Sequence, residues 1–278
     1  MKNLGFIVLL AMMMSCGQGN SNRTVGSKNE REESKAVSEY RDSGKWGKAV
    51  SRDFECGEFD SFEATGHIEV VFRQTDDYAV KTVGHKEALS LYDLQIVEKD
   101  GKKELNVKLK ESADERYDNI PTITLLIAAP VLKNVTVSGG DVELKGKLIQ
   151  DEDLNIYVKG EGDVFAKDVE VGDLNVEISG RGDVTLKKAK AYGNATVTVN
   201  GDGDIEGKLR CKDARIEVNG SGTVDVNIKC KELTAKCNGR GDIELEGECT
   251  VLKKRDGANG AIDSRKLVAQ DVILLENR

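Results

Sequence analysis

The sequence is poor in the residues that most often do chemistry. It has two histidines, His67 and His85, two prolines, one tryptophan and 5% aromatic residues. So little imidazole excludes most histidine-based catalytic and zinc sites. Excess positive charge is also missing: 41 Lys and Arg face 49 Asp and Glu, for a net charge of −8. A nucleic-acid partner is therefore not expected, because phosphate neutralisation needs clustered cations in excess. All four methionines lie within the first fourteen residues. Glycine, in contrast, is abundant at 29 of 278 residues, a length that allows one large all-β domain or two ordinary ones.

The only long apolar run spans Leu4 to Met14, about eleven residues, whereas a membrane-crossing helix needs about 20. A short charged start, a short apolar stretch and small residues after it predict a signal peptide over residues 1–15. Met13-Met14-Ser15-Cys16 resembles a bacterial lipobox. That resemblance implies cleavage before Cys16, lipidation of this cysteine and attachment to a membrane through its acyl chains, each buried methylene contributing about 0.8 kcal/mol. Residues 16–49 are Ser, Asn, Gly and charge without periodicity. Such a composition cannot offset chain entropy by burial and predicts a flexible tether.

From residue 139 the chain repeats itself. Gly139-Gly140-Asp141-Val142 is followed by Gly160-Glu161-Gly162-Asp163-Val164, Gly180-Arg181-Gly182-Asp183-Val184 and Gly201-Asp202-Gly203-Asp204-Ile205. Gly220-Ser221-Gly222-Thr223-Val224 and Gly239-Arg240-Gly241-Asp242-Ile243 come next, and a degenerate copy ends at Ile262. Between these turns run short stretches of alternating β-branched residues, such as Val164/Ala166 and Val176/Ile178, which read as strands. The recurrent glycines predict tight turns with positive φ, where a side chain costs about 1 kcal/mol or more. One such unit cannot bury its own apolar face, but stacked coils can. The expected fold is all-β: a β-solenoid, most simply a parallel β-helix, of about 19–22 residues per coil over residues 134–278, preceded by a less regular β-rich half over 50–133.

The cysteines test this register. Cys211, Cys230 and Cys249 are one coil of 19 residues apart, and Val268 continues the series. Cys237 shares the phase of Val218, Val199 and Ile178. These positions read as small buried hydrophobes, with a disulfide between stacked neighbours as the alternative. No metal site is expected, because paired C-x-x-C knuckles are missing. Asp141, Asp163, Asp183, Asp204 and Asp242 should form a ladder along one edge, either capping turn amides or binding calcium weakly. Arg181-Gly182-Asp183 and Arg240-Gly241-Asp242 spell RGD, which arises automatically wherever Arg fills the variable position of the turn.

The first half contains Phe59-Asp60-Ser61-Phe62, the strand Gly66-His67-Ile68-Glu69-Val70 running to Gln74, a helical turn near Lys86–Ser90, a hairpin at Asp100-Gly101 and a Thr122–Leu132 run through Pro130. Together with the serial Gly-x-Gly-Asp turns, this order resembles the putative auto-transporter adhesin, head GIN domain family of Bacteroidetes secreted proteins and lipoproteins, over about residues 54–265. The resemblance implies a single-stranded right-handed parallel β-helix and an adhesion role without catalytic residues. The chain departs from the family pattern at Asn259-Gly260-Ala261, where the Gly-x-Gly-Asp turn is replaced.

The function expected is that of a cell-envelope lipoprotein of the outer membrane, not an enzyme and without cofactor, binding an unknown protein or glycan ligand through repetitive faces. The alternatives are a carbohydrate-active β-helix enzyme of the polysaccharide lyase kind, with Lys145, Lys167 and Lys187 as candidate groups, and an envelope structural protein without ligand. A groove gathering Asp with Lys or Arg would favour the enzyme, and a flat charged face would favour binding.

Overall fold

The computed structural model describes residues 46–99, 101–114 and 119–276. The signal peptide, Cys16 and nearly all of the tether lie outside the described residues. The first half contains β1 (Ala49–Phe54), β2 (Ser61–Thr65), β3 (Ile68–Gln74), β4 (Ala79–His85), a helical turn at Lys86–Ser90, β5 (Tyr92–Lys99), β6 (Lys102–Leu109), a second helical turn at Glu111–Asp114 and β7 (Ile123–Ala129). The coils follow as β8 (Asn134–Val137) and β9 (Asp141–Ile149), β10 (Leu154–Val158) and β11 (Val164–Val171), β12 (Leu174–Ile178) and β13 (Val184–Ala191), β14 (Ala195–Val199) and β15 (Ile205–Arg210), and β16 (Asp213–Val218). The last strands are longer and take part in both ladders: β17 (Val224–Cys237), β18 (Ile243–Arg255) and β19 (Ile262–Leu274).

Every coil pairs in parallel with the one before, giving a β-solenoid of about 7 turns. Val142, Val164, Val184, Ile205, Val224, Ile243 and Ile262 stand register to register and all are buried. Their sequence neighbours Glu143, Thr185, Glu206, Asp225 and Glu244 are half-buried or exposed. Alternation with period two thus places one residue of each pair in the core and the next in solvent. Each fully buried Val or Ile contributes about 1.5–3 kcal/mol. Cys237 continues the column of Ile178, Val199 and Val218.

The first half joins the same stack, but out of chain order. β2 pairs in parallel with both β6 and β8, and β3 with both β7 and β9. The coil made by β2 and β3 therefore lies between the coil of β6 and β7 and that of β8 and β9. The chain has to step over it after β7, and two glutamines secure the step. Gln74 donates from Nε2 to the carbonyls of Pro130 and Ile149, both at 2.8 Å, and its Oε1 accepts the Ile149 amide at 2.9 Å. Buried Gln150 accepts the Leu132 amide at 3.0 Å and donates to the Leu132 carbonyl at 2.8 Å. The core runs unbroken from Trp46 to Ile262, so residue 133 marks a change of connectivity and not a gap in packing.

The two ends differ. At the first, the sheet turns antiparallel: β4 pairs with β7, β1 with β4, and β5 with β6 through the tight turn at Gly101, where φ is 72°. The scarce aromatics gather beside it, with Phe62 stacked on Phe72 at 6.5 Å and Phe59 against Tyr78 at 5.6 Å. At the other end, among the described residues, β19 pairs with β18 alone, and Val268, Val272, Ile273 and Leu274 are exposed. Here one expectation is corrected. The register slips between Glu244 and Glu246, so Ala269 and not Val268 stands opposite Cys249. Val268 pairs with Glu248 and is 71% exposed. One extra residue in β19 moves the side chains beyond it to the opposite face.

The parity of β13 is open to a direct test. Val184→Asp should place an unpaired charge in the core and cost several kcal/mol, roughly 3 or more. Thr185→Asp adds a like charge beside Glu206 on the outer face and should cost about 1 kcal/mol at most. Equal melting temperatures for the two variants would contradict the register.

Candidate binding face

The turn residues singled out by the repeat are brought together in rows along the stack. Asp141 Oδ1 accepts the amide of Asp163 at 3.1 Å, Asp163 that of Asp183 at 2.8 Å, and Asp183 that of Asp204 at 2.8 Å. Asp204 accepts the Thr223 amide at 2.6 Å, and Asp242 the Ala261 amide at 3.0 Å. Each carboxylate is thereby committed to the coil that follows. Partial burial pushes the Asp183 carboxyl up, helped by the charges of Asp163 and Asp204 and opposed by the Asp204 amide. In the first RGD tripeptide, Arg181 forms an ion pair with Glu161 one coil away and Asp183 holds the Asp204 amide, so two of its three residues serve the stack.

A second aspartate row was not picked out in the sequence. Asp153 accepts the Asp173 amide at 2.8 Å, Asp173 the Asn194 amide at 2.7 Å, and Asp213 the Glu232 amide at 3.3 Å. Its only sequence signal is an Asp at the start of the other strand in three coils, replaced by Asn194 and Glu232 in two others. An asparagine ladder runs beside the main turns, Asn238 donating to Asn219 at 2.7 Å and Asn219 to Asn200 at 2.8 Å.

The expected reason for the turn glycines is corrected. Gly160, Gly162, Gly180, Gly182, Gly201, Gly203, Gly220, Gly222, Gly239 and Gly241 are not among the glycines with positive φ; at the first turn only Gly140 is, at 76°. What requires glycine is close approach. A Cβ on any of these ten would come within 3.0 Å of a backbone oxygen of the preceding coil, and Gly139 faces Gly66 in the same way at 3.1 Å. The coils touch through bare backbone at this corner.

With the turns committed to the stack, the ligand-accessible chemistry lies on the outward columns. Some place opposite signs together: Lys187 faces Glu206 at 3.7 Å, Lys188 faces Asp168 at 3.2 Å and Lys253 faces Glu232 at 2.7 Å. Others carry one sign: Glu206, Asp225, Glu244 and Asp263 stand in register as an acidic column, and a cationic one lies at the edge where β13, β15 and β17 turn the corner. Lys190, Arg210 and Lys229 stand in register on successive coils. Lys212 and Lys231 form a second row, the Lys231 amide bonding to the Lys212 carbonyl at 2.8 Å. A surface depression of about 420 Å³ lies between the rows, with Ala191, Cys211 and Cys230 in its lining and Tyr192 at one end.

Cys211, Cys230 and Cys249 follow one another along the stack as free thiols, Cys230 opposite Cys249. A hydrogen bond from the Cys230 thiol pulls the Cys211 pKa down, while the same bond and burial push that of Cys230 up. Burial pushes the Cys249 thiol up to about 11.

The family profile described as "putative auto-transporter adhesin, head GIN domain" matches residues 58–229 and 195–275. The chain belongs to this family. Solved structures share its fold: a putative adhesin from Bacteroides fragilis (20% identity, 82% of this chain and 97% of that one, TM-score 0.61), a putative adhesin from Parabacteroides merdae (19%, 83% and 97%, 0.64), and a putative lipid binding protein from Parabacteroides distasonis (15%, 82% and 97%, 0.55). No functionally curated protein matches.

The aspartate ladder can be separated from the glycine stack by mutation. Asp183→Ala orphans the Asp204 amide and should cost about 1 kcal/mol, whereas Asp183→Asn keeps an acceptor oxygen and should cost less. Gly182→Ala, which drives a methyl group onto the preceding coil, should be worse than either. If Asp183→Ala and Asp183→Asn melt together, the side-chain oxygen is not holding the next turn.

Proposed function

We propose that the protein is a non-catalytic binding or adhesion protein of the cell envelope, held to the outer membrane by lipid on Cys16 and presenting the solenoid to a glycan or protein. One observation supports this most. Each turn carboxylate of the aspartate ladder holds an amide of the next coil through one oxygen, which ties the row to the stack, and the outward strand positions present charge in repeating columns. The adhesin family supports an envelope or surface role. The lyase reading asks for Asp together with Lys or Arg in one groove; the cationic depression is lined by cations, Tyr192 and thiols, and the carboxylate of the adjoining one, Glu248, is engaged in an ion pair with Lys229. Lys145, Lys167 and Lys187 lie on the outer face of β9, β11 and β13, away from that lining.

The anchor is tested by Cys16→Ala in the producing cell. Palmitate labelling should vanish and the protein should leave the membrane fraction or accumulate unprocessed; labelling and retention that survive the change would remove the lipid tether. For the role itself, the purified protein should retain ligands on a glycan array or in a pull-down while leaving them chemically unchanged. Conversion of a retained glycan to shorter products would make it an enzyme instead.

A further inference from the structure

We propose that the edge carrying Lys190, Arg210, Lys212, Lys229 and Lys231 is a binding site for acidic polysaccharide, a chain of sugars bearing carboxylate or sulfate groups; this rests on reading the protein as a binding module and names its ligand class. The first argument is that the edge gathers one sign of charge with little to balance it. Like charges directly opposite on neighbouring strands are destabilising; the fold also stacks acids in one outward column, Glu206, Asp225, Glu244 and Asp263, but there Lys187 and Arg265 lie alongside as partners. Here cations stack on cations in a chain of net charge −8. Only the ends are neutralised, Lys190 by Glu170 at 3.9 Å and Lys229 by Glu248. Among the described residues, Arg210, Lys212 and Lys231 form no ion pair.

The second argument is geometric. The rows run along the stack, so cations recur once per coil at the strand spacing of about 4.8 Å. That periodicity suits a polymer with repeated anionic groups lying along the edge better than a single small anion. The depression of about 420 Å³ adjoins another of the same volume that shares Arg210 and Lys229, which lengthens the track. Between the rows the floor is apolar or sulfhydryl, and at one end the exposed Tyr192 ring is held in place. Its hydroxyl donates to Glu170 at 3.1 Å, and Lys190 Nζ lies 4.3 Å from its centroid. A fixed ring offers the apolar face of a sugar a platform, and the planar Arg210 guanidinium can grip a carboxylate or sulfate with two parallel bonds. An anionic bilayer would use the cations without needing the ring or the length of the track.

The test uses the full chain with polygalacturonate and heparin as carboxylate and sulfate probes and dextran as the neutral control. At least one acidic polymer should bind, in a salt-dependent manner, and dextran should not. Arg210→Glu/Lys231→Glu should weaken binding roughly tenfold or more. Lys159→Glu/Lys167→Glu changes the net charge equally on other surfaces and should weaken it less than about twofold. Independently of any variant, saturating polymer should slow alkylation of Cys211 and Cys230 in the wild type. The proposal is overturned if neither polymer binds, if both double variants lose affinity equally, or if the thiols stay unprotected. It is equally overturned if phosphatidylglycerol vesicles bind through these cations while the polymers do not. Retention of a protein or neutral glycan by the wild type and both variants would remove the acidic ligand and leave the binding reading intact. Binding followed by new reducing ends would keep the ligand and remove the non-catalytic reading.

Discussion

The contact on which the structure depends is the passage of one glycine turn directly over another. At the Gly-x-Gly corner each coil meets its predecessor backbone to backbone, with amides such as Arg181 bonding to the Gly160 carbonyl and Asp202 to that of Gly180. A single Cβ would hold the coils apart there. Because the corner closes to backbone distance, the flanking strands can keep register over their whole length, and the valine and isoleucine columns stack without gaps. Where an aspartate follows the glycine pair, it then finds the next coil's amide within reach. Packing, capping and register are thus three consequences of one steric condition.

That condition also decides where chemistry can sit. Turn carboxylates that might look like a ligand-binding row each hold an amide of the next coil through one oxygen, and the same holds for Asp153, Asp173 and Asp213 on the second row. What is left for a partner is the outward parity of each strand, where a residue chosen on one coil is presented again on the next. A repeat that is structural on its inner positions therefore becomes a periodic display on its outer ones. The cationic edge uses that display with a sign that the fold itself does not need.

Much of this was legible in the sequence because strand parity has a period of two and the coil a period near twenty. Val184 and Thr185 could be assigned to opposite faces from alternation alone, and Cys237 to the core from its phase. Three features were not legible, each for a physical reason. The glycines suggested positive φ because sequence shows the missing Cβ but not what would strike it. The coil of β2 and β3 lies between two coils that do not adjoin it in the chain, and no periodicity records such an insertion. The slip in β19 is one residue in a strand whose outer positions are already mixed, so Val268 looked like a core position. The cationic edge did leave a signal: Lys190, Arg210 and Lys229 follow the coil spacing, as do Lys212 and Lys231. It is hidden by the lysines scattered over most outward faces until register shows which of them lie opposite acids.

The unequal ends give the molecule a direction. A stacked repeat is stabilised by its neighbours, so an end coil with one neighbour opens more readily than an inner one. The first end is closed by antiparallel strands and by Phe59, Phe62 and Phe72, which supply the large side chains that the valine-rich coils do not. Among the described residues β19 has neither cover nor bulk; its exposed Val268, Val272 and Leu274 are guarded by Arg265, Lys266 and Asp271, charges of the kind that discourage edge-to-edge pairing. Local opening should therefore begin at β19. Lys190, Arg210, Lys229 and Lys231 sit on β13, β15 and β17, each strand paired on both sides, and Lys212 lies in the bend after β15. Fraying of the last coil leaves their spacing untouched, and that spacing is what a repeating ligand would read.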